Sequence, residues 1–156
     1  MIVLGLDPSL SCTGWGVIRV EGSRIAHIAN GQVPTAPKSP MADRLDQLYS
    51  AIAAVVAAHG PDRAAAEEIF ANKNAQSTIK LAQARGAVLA ACGAGGLRVN
   101  EHSARLVKKS VVGTGAADKR QVQAMLKVLL PGVQVAGADA ADALAVAIAD
   151  AHLSPR

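Results

Sequence analysis

The chain begins with an unbroken apolar run, Ile2-Val3-Leu4-Gly5-Leu6, that stops at Asp7. A run of that length predicts a short buried strand. Thr13-Gly14-Trp15-Gly16-Val17-Ile18-Arg19-Val20 predicts a second strand, Glu21-Gly22-Ser23 a turn, and Arg24 to Val33 a third strand. The first segment is therefore an antiparallel meander. Pro34, Pro37 and Pro40 mark a loop, after which Leu45, Leu48, Ile52, Val55 and Val56 recur at helical spacing within Met41 to His59. Gly60-Pro61 ends that helix. Arg63 to Ile69 is a further strand, Ala75 to Ala94 a long helix, and Leu97 to Asn100 a short strand. Ser103 to Val112 and Asp118 to Leu130 are helices, the second opening on Asp118 and Gln121 at capping-box spacing. Ala138 to His152 is the last helix, closed by Pro155. A meander followed by alternating helices and strands predicts an α/β fold with a mixed sheet. Its first, fourth and fifth strands run parallel through right-handed crossovers. Residues 1–156 are long enough for one domain with a real core.

Set against this pattern, four carboxylates stand out. Asp7 ends the first apolar run, and Glu67 ends Ala64-Ala65-Ala66. Asp139 and Asp142 lie three apart in Ala138-Asp139-Ala140-Ala141-Asp142-Ala143-Leu144-Ala145, so they share a helix face. Asp150 lies on a similar face but about 16 Å further along, too far to join them. A carboxylate at the end of a buried strand is costly unless something compensates it. If the first and fourth strands are neighbours, Asp7 and Glu67 meet at their carboxyl ends, the usual place for a site in an open α/β sheet. Carboxylates converging from two strands and a helix suit a hard divalent cation such as Mg²⁺. Each has a bland alternative. Asp7 before Pro8-Ser9 could be a turn residue, Asp139 an N-cap, and Glu67 the partner of a nearby Arg. Glu68 alternates with Glu67 and should face the other side of its strand.

Charge sharpens the picture. The chain carries a net +4, but residues 73 to 127 hold ten Lys/Arg against two acids, a net +8, leaving the remainder at −4. Such a segment suits a polyanionic partner, although any single lysine in it could be a solvated surface residue. Together with the carboxylates it suggests metal-dependent chemistry on phosphodiesters. The hydrophobic fraction is 51% and the charged fraction 18%, which excludes a disordered chain. Aromatics make up only 2%, which leaves Trp15, Tyr49 and Phe70 to be explained one by one. No apolar run is long enough to cross a membrane, and only six residues precede Asp7, too few for a signal-peptide core. Cys12 and Cys92 lack metal spacing and fit two buried small hydrophobes in a reduced, cytoplasmic compartment.

The motifs fall in a familiar order. Gly5-Leu6-Asp7-Pro8 precedes Thr13-Gly14-Trp15-Gly16-Val17-Ile18, and then come Glu67-Glu68-Ile69-Phe70-Ala71-Asn72-Lys73-Asn74-Ala75 and Leu81-Ala82-Gln83-Ala84-Arg85-Gly86. Arg105-Leu106-Val107-Lys108-Lys109, Val111-Val112-Gly113-Thr114-Gly115 and the Asp139/Asp142 stretch follow. Over nearly its whole length the chain resembles the RuvC family of Holliday-junction resolvases. It departs at Ser9, where the family usually has Gly, and at Ala66, usually a larger apolar residue. The resemblance implies an RNase H-like fold, a homodimer, and paired nicks in the two like-polarity strands of a four-way junction. It implies Mg²⁺ or Mn²⁺ held by Asp7, Glu67 and Asp139, with Asp142 the fourth carboxylate, and branch-migration partners of the RuvA and RuvB type. Two ions about 3.5–4 Å apart would activate a water and stabilise the leaving 3′ oxygen. At least one carboxylate is expected to act as more than a ligand.

Phe70, three residues after Glu67, could cap the core; in the family the matching aromatic lies near the junction centre, where it can stack on a base at about 1–3 kcal/mol. Lys73, Lys108, Lys109, Lys119 and Arg120 are the phosphate-contact candidates, with Gly113-Thr114-Gly115 offering backbone amides. Ala82, Gly86, Ala90 and Ala94 recur every four residues along the long helix. That small-residue ridge could lie on the chain's own sheet, but the resemblance favours a contact with a second copy. Two other classes compete. Asp7-Pro8-Ser9 also resembles the phosphate hairpin of the actin, Hsp70 and sugar-kinase superfamily, but those proteins need two such domains and this chain is too short. A junction- or RNA-binding protein with a dead nuclease fold is the other alternative, and the full carboxylate set argues against it.

Overall fold

A computed structural model describes residues 1–69 and 73–155. Five strands form one mixed sheet in the order β3-β2-β1-β4-β5. The strands are β1 (Ile2–Asp7), β2 (Cys12–Glu21), β3 (Arg24–Pro34), β4 (Arg63–Glu67) and β5 (Val99–His102). β1 pairs antiparallel with β2 and parallel with β4, and β4 pairs parallel with β5, as the meander-then-alternation pattern predicts. The helices are α1 (Met41–His59), α2 (Ala75–Ala94), α3 (Ala104–Val112), α4 (Lys119–Leu129) and α5 (Ala138–Leu153). Their stops obey local chemistry. Gly60 takes a left-handed conformation (φ 52°) after α1, and Asp118 with Gln121 forms the predicted capping box on α4.

Two strands depart from their expected bounds by two residues, while other ends shift by at most one. β4 ends at Glu67 rather than Ile69, because beyond it, among the described residues, only the Glu68 N–H continues the ladder, donating to His102 O. The fifth strand is Val99–His102 rather than Leu97 to Asn100. Leu97 N–H donates back to Cys92 O, and Gly96 has φ 75°, so Leu97 belongs to the turn that closes α2.

Side-chain alternation along β1 divides the core into two layers. Leu4 and Leu6 join Ile52, Leu48, Val88 and Cys92 under α1 and α2. Val3 joins Ile18, Ala65, Leu144 and Ile148 under α5, with α3 and α4 packed outside it. Trp15 and Tyr49 are accounted for by packing against the α1/α2 layer. α5 is buried almost continuously from Ala140 to Ala151, as a helix apolar on all sides must be.

Glycines in β1 and β2 decide how close α5 comes. A Cβ on Gly5 would collide with Ala143 O, one on Gly14 with Asp139 O, and one on Gly16 would meet Leu144 Cδ2 at 2.6 Å. With these glycines below and alanines above, the α5 backbone lies directly on the strands.

Candidate active site

Asp7 ends β1, and the pairing of Leu6 with Ala66 makes Glu67 its neighbour at the end of β4. Val3, Gly5 and Asp7 alternate toward α5, as do Ala65 and Glu67. Both carboxylates therefore emerge on the face that α5 crosses. Glu68 is exposed on the next position. Asp7, Glu67 and Asp142 line one cleft of about 270 Å³, together with Lys108 of α3 and Lys119 of α4. Asp139 stands one turn before Asp142, above Gly14, and its charge acts on both Asp7 and Asp142.

The electrostatics record the crowding. Burial, followed by repulsion from Asp142, Asp139 and Glu67, pushes Asp7 up to about 7 against Lys119's opposing pull. Burial also raises Glu67, with Asp142 adding to it and Lys108, Lys119 and Arg85 opposing. Asp142 is raised by burial while Lys119, with Nζ 3.6 Å from Oδ2, pulls the other way. Two lysines facing four carboxylates leave the site short of positive charge.

The bland alternatives for Asp139 and Glu67 fail. Asp139 is not the N-cap of α5; Gly137 is, and it offers no side-chain cap. The carboxylate of Asp139 is thereby left to the site. Arg85 is buried near Glu67 but bonds its backbone carbonyl at 2.5 Å and the Glu101 carboxylate at 2.7 Å, so among the described hydrogen bonds it is not the partner of the Glu67 carboxylate. Asp150 is excluded from the cluster, as its distance along the helix predicts. It is fully buried, takes hydrogen bonds from Arg63, Asn100 and Ser154, and pairs with His102. Those partners hold its carboxyl below the usual range despite burial.

Among the described residues no three carboxylate, imidazole or thiolate groups close into a finished ligand shell. The donor set nonetheless fits a hard cation in kind. The converging groups are carboxylates, and the upward displacement of three of them is the cost that a bound cation removes. Asp7, Glu67, Asp139 and Asp142 are the residues that would hold it.

The predicted phosphate contacts divide. Lys108 and Lys119 line the carboxylate cleft, a role that charge counting along the sequence did not distinguish from DNA contact. Lys73, Lys109 and Arg120 are exposed, and Gly113 and Thr114 lie exposed at the end of α3. Phe70 falls outside the described residues. The ridge on α2 is settled in one respect. Ala82, Gly86, Ala90 and Ala94 are exposed, and a Cβ on Gly86 would meet nothing within 4 Å, so the ridge does not lie on the chain's own sheet. Cys12 departs from expectation. Cys92 is buried, but Cys12 is only partly so, and burial together with a hydrogen bond to Asp139 pushes its thiol up to about 11.

A five-stranded sheet of this order, carboxylates at the ends of its two central parallel strands, and two more on the helix crossing them define an RNase H-like nuclease. The family model for the crossover junction endodeoxyribonuclease RuvC matches residues 3–150. The chain is 83% identical over 152 residues to the crossover junction endodeoxyribonuclease RuvC of Erythrobacter litoralis, covering 97% of this chain and 93% of that one. It is 66% identical to the corresponding protein of Sphingopyxis alaskensis, covering 97% of each. A Thermus thermophilus RuvC solved with a Holliday junction substrate superposes at TM-score 0.90 with 31% identity, over 97% of this chain and 93% of that one. The yeast mitochondrial resolvase Ydc2, at 14% identity and TM-score 0.64 over 96% of this chain and 78% of its own, shares the fold. The chain belongs to the RuvC family of crossover junction endodeoxyribonucleases. No helix among the described residues is long and apolar enough to cross a membrane.

Proposed function

We propose that this chain resolves four-way DNA junctions by paired, symmetric nicks in recombination and repair, working in the cytoplasm as a homodimer of one-domain protomers. One observation carries the reading: Asp7, Glu67 and Asp142 share a cleft with Lys108 and Lys119, and Asp139 stands within electrostatic reach. Asp7, Glu67, Asp139 and Asp142 are its catalytic and metal-holding residues, suited to Mg²⁺ or Mn²⁺ and to two ions per site. A bound divalent cation supplies Lewis acidity for the scissile phosphate and lowers the pKa of the attacking water. The chain's own residues do the rest. Lys108 and Lys119 face the carboxylates from α3 and α4, placed to hold the anionic phosphodiester against them. At least one of these carboxylates is suited to position the attacking water as well as to hold charge.

Lys73, Lys109 and Arg120 extend the basic surface away from the cleft and suit phosphates of the junction arms, with Gly113-Thr114-Gly115 adding amides. Phe70 is assigned to stacking on a base at the branch point. The exposed ridge of Ala82, Gly86, Ala90 and Ala94 suits a second copy, since matched nicks need two sites related by a two-fold axis. RuvA- and RuvB-type branch-migration proteins are the partners that would deliver the junction.

The test uses a four-way junction labelled on each strand in turn, with and without Mg²⁺. Symmetric nicks in two strands of like polarity, lost in EDTA and in Glu67→Gln, are expected. Equal cutting of linear duplex, or cutting that persists in EDTA, refutes the reading.

A further inference from the structure

α5 carries two of the four carboxylates, yet its first turn is not capped by its own sequence. Gly137 occupies the N-cap, with φ 171° and ψ −172°, and supplies no side chain. The missing acceptor comes from β3. Gln32 Oε1 accepts the backbone N–H of Asp139 at 3.1 Å and that of Ala140 at 3.2 Å. These are two of the N–H groups that an N-cap side chain ordinarily serves. A Cβ at position 137 would run into the Gln32 amide, so the glycine is what admits it. Two residues earlier on the same strand, Asn30 Oδ1 accepts Ala136 N–H at 2.8 Å, and Asn30 Nδ2 donates to Gln134 O at 2.9 Å. The segment entering α5 is thus tied to β3 at consecutive same-face positions. The Asp139 backbone N–H itself is held by Gln32 alone among the described hydrogen bonds.

We infer that Gln32 is a positioning residue for Asp139: by capping α5 from β3, it fixes where that carboxylate stands over Asp7. Gln32 pairs in register with Gly14, and Gly14 is the residue beneath the Asp139 carbonyl. The strand pair therefore holds the Asp139 backbone at two points, its N–H through Gln32 and its carbonyl against Gly14. Groups that hydrogen-bond a ligating side chain typically govern metal affinity by about 10–100-fold, and a group that places the ligand's backbone is expected to act at the lower end of that range. The inference rests on reading the carboxylates as a metal site, and the experiment separates the two.

Mn²⁺ binding is titrated calorimetrically without DNA in wild type, Gln32→Met and Gln32→Glu, and folding is checked by thermal unfolding in EDTA. Met keeps the length but offers no oxygen acceptor, whereas Glu keeps the acceptor. Gln32→Met is expected to bind Mn²⁺ about ten-fold or more weakly, and Gln32→Glu to recover to within about three-fold of wild type. A half-saturating Mg²⁺ concentration for nicking that rises in Gln32→Met and falls back in Gln32→Glu supports the same assignment. Wild-type Mn²⁺ affinity in folded Gln32→Met overturns the positioning role. Equal loss in Met and Glu variants also overturns it, since the acceptor would then be irrelevant. A wild-type protein that binds no Mn²⁺ overturns the metal reading, and this inference with it.

Discussion

Asp7→Asn should make the metal-free protein more stable while destroying its activity. Asp7 is raised from 3.8 to about 7 by burial and by three neighbouring carboxylates. At about 1.4 kcal/mol per tenfold change in proton affinity, ionising it in the folded chain costs about 4 kcal/mol. Asn removes the charge at nearly constant volume, and relaxation around the wild-type carboxylate softens the difference, so a gain of about 2–4 kcal/mol is expected at pH 8. For a chain of this size that corresponds to roughly 5–15 °C in melting temperature. The folded-state pKa lies above the unfolded one, so between about pH 4 and 7 the folded chain binds more protons. The contribution of Asp7 to wild-type stability therefore falls as pH rises through that window, and the advantage of Asn grows with it. Below about pH 4 both states of Asp7 are protonated and the advantage vanishes. The assay is thermal or urea unfolding of both proteins in EDTA at pH 4, 6 and 8, repeated with Mg²⁺. Added Mg²⁺ should stabilise wild type more than the variant, because a ligand stabilises only a state that binds it. A variant equal to or less stable than wild type in EDTA at pH 8 would refute the account of Asp7 as a strained carboxylate.

Three further outcomes are expected. Junction affinity should fall roughly 500-fold between 50 and 200 mM salt if Lys73, Lys108, Lys109, Lys119 and Arg120 each meet a duplex phosphate; a flat titration would remove the basic segment from the interface. Gly86→Leu should leave the fold intact, since its added side chain meets open space and Leu favours helix by up to about 1 kcal/mol. It should nevertheless shift sedimentation toward monomer and turn paired nicks into single ones, and an unchanged dimer would place the interface elsewhere. Gly14→Ala should cost about 1–3 kcal/mol and depress nicking strongly, because its Cβ strikes the Asp139 carbonyl and lifts α5. Near-wild-type nicking in that variant would show that the height of α5 over β1 is not critical.

Much of this protein is determined by its sequence because the deciding forces are local. Apolar runs and alternation set β1 to β4, helical spacing set α1, and Asp118 with Gln121 capped α4 through bonds three residues apart. The ends of β1 and β4 were legible as charged stops to buried runs, and the Asp139/Asp142 pair as one helix face. Their convergence was legible only through parallel pairing of the first and fourth strands and through the order of the motifs. The tertiary structure alone decided the remaining features. Gln32 caps a helix more than a hundred residues away, which no local signal announces. Gly5, Gly14 and Gly16 had no visible purpose until α5 lay on them, because a missing Cβ gains meaning only from the atom that comes into its place. Lys108 and Lys119 looked like any other cations of a basic segment; the packing of α3 and α4 against α5 turned them toward the carboxylates. Spacing along a chain fixes which face a residue occupies, but which charge it meets there depends on contacts between segments far apart in sequence.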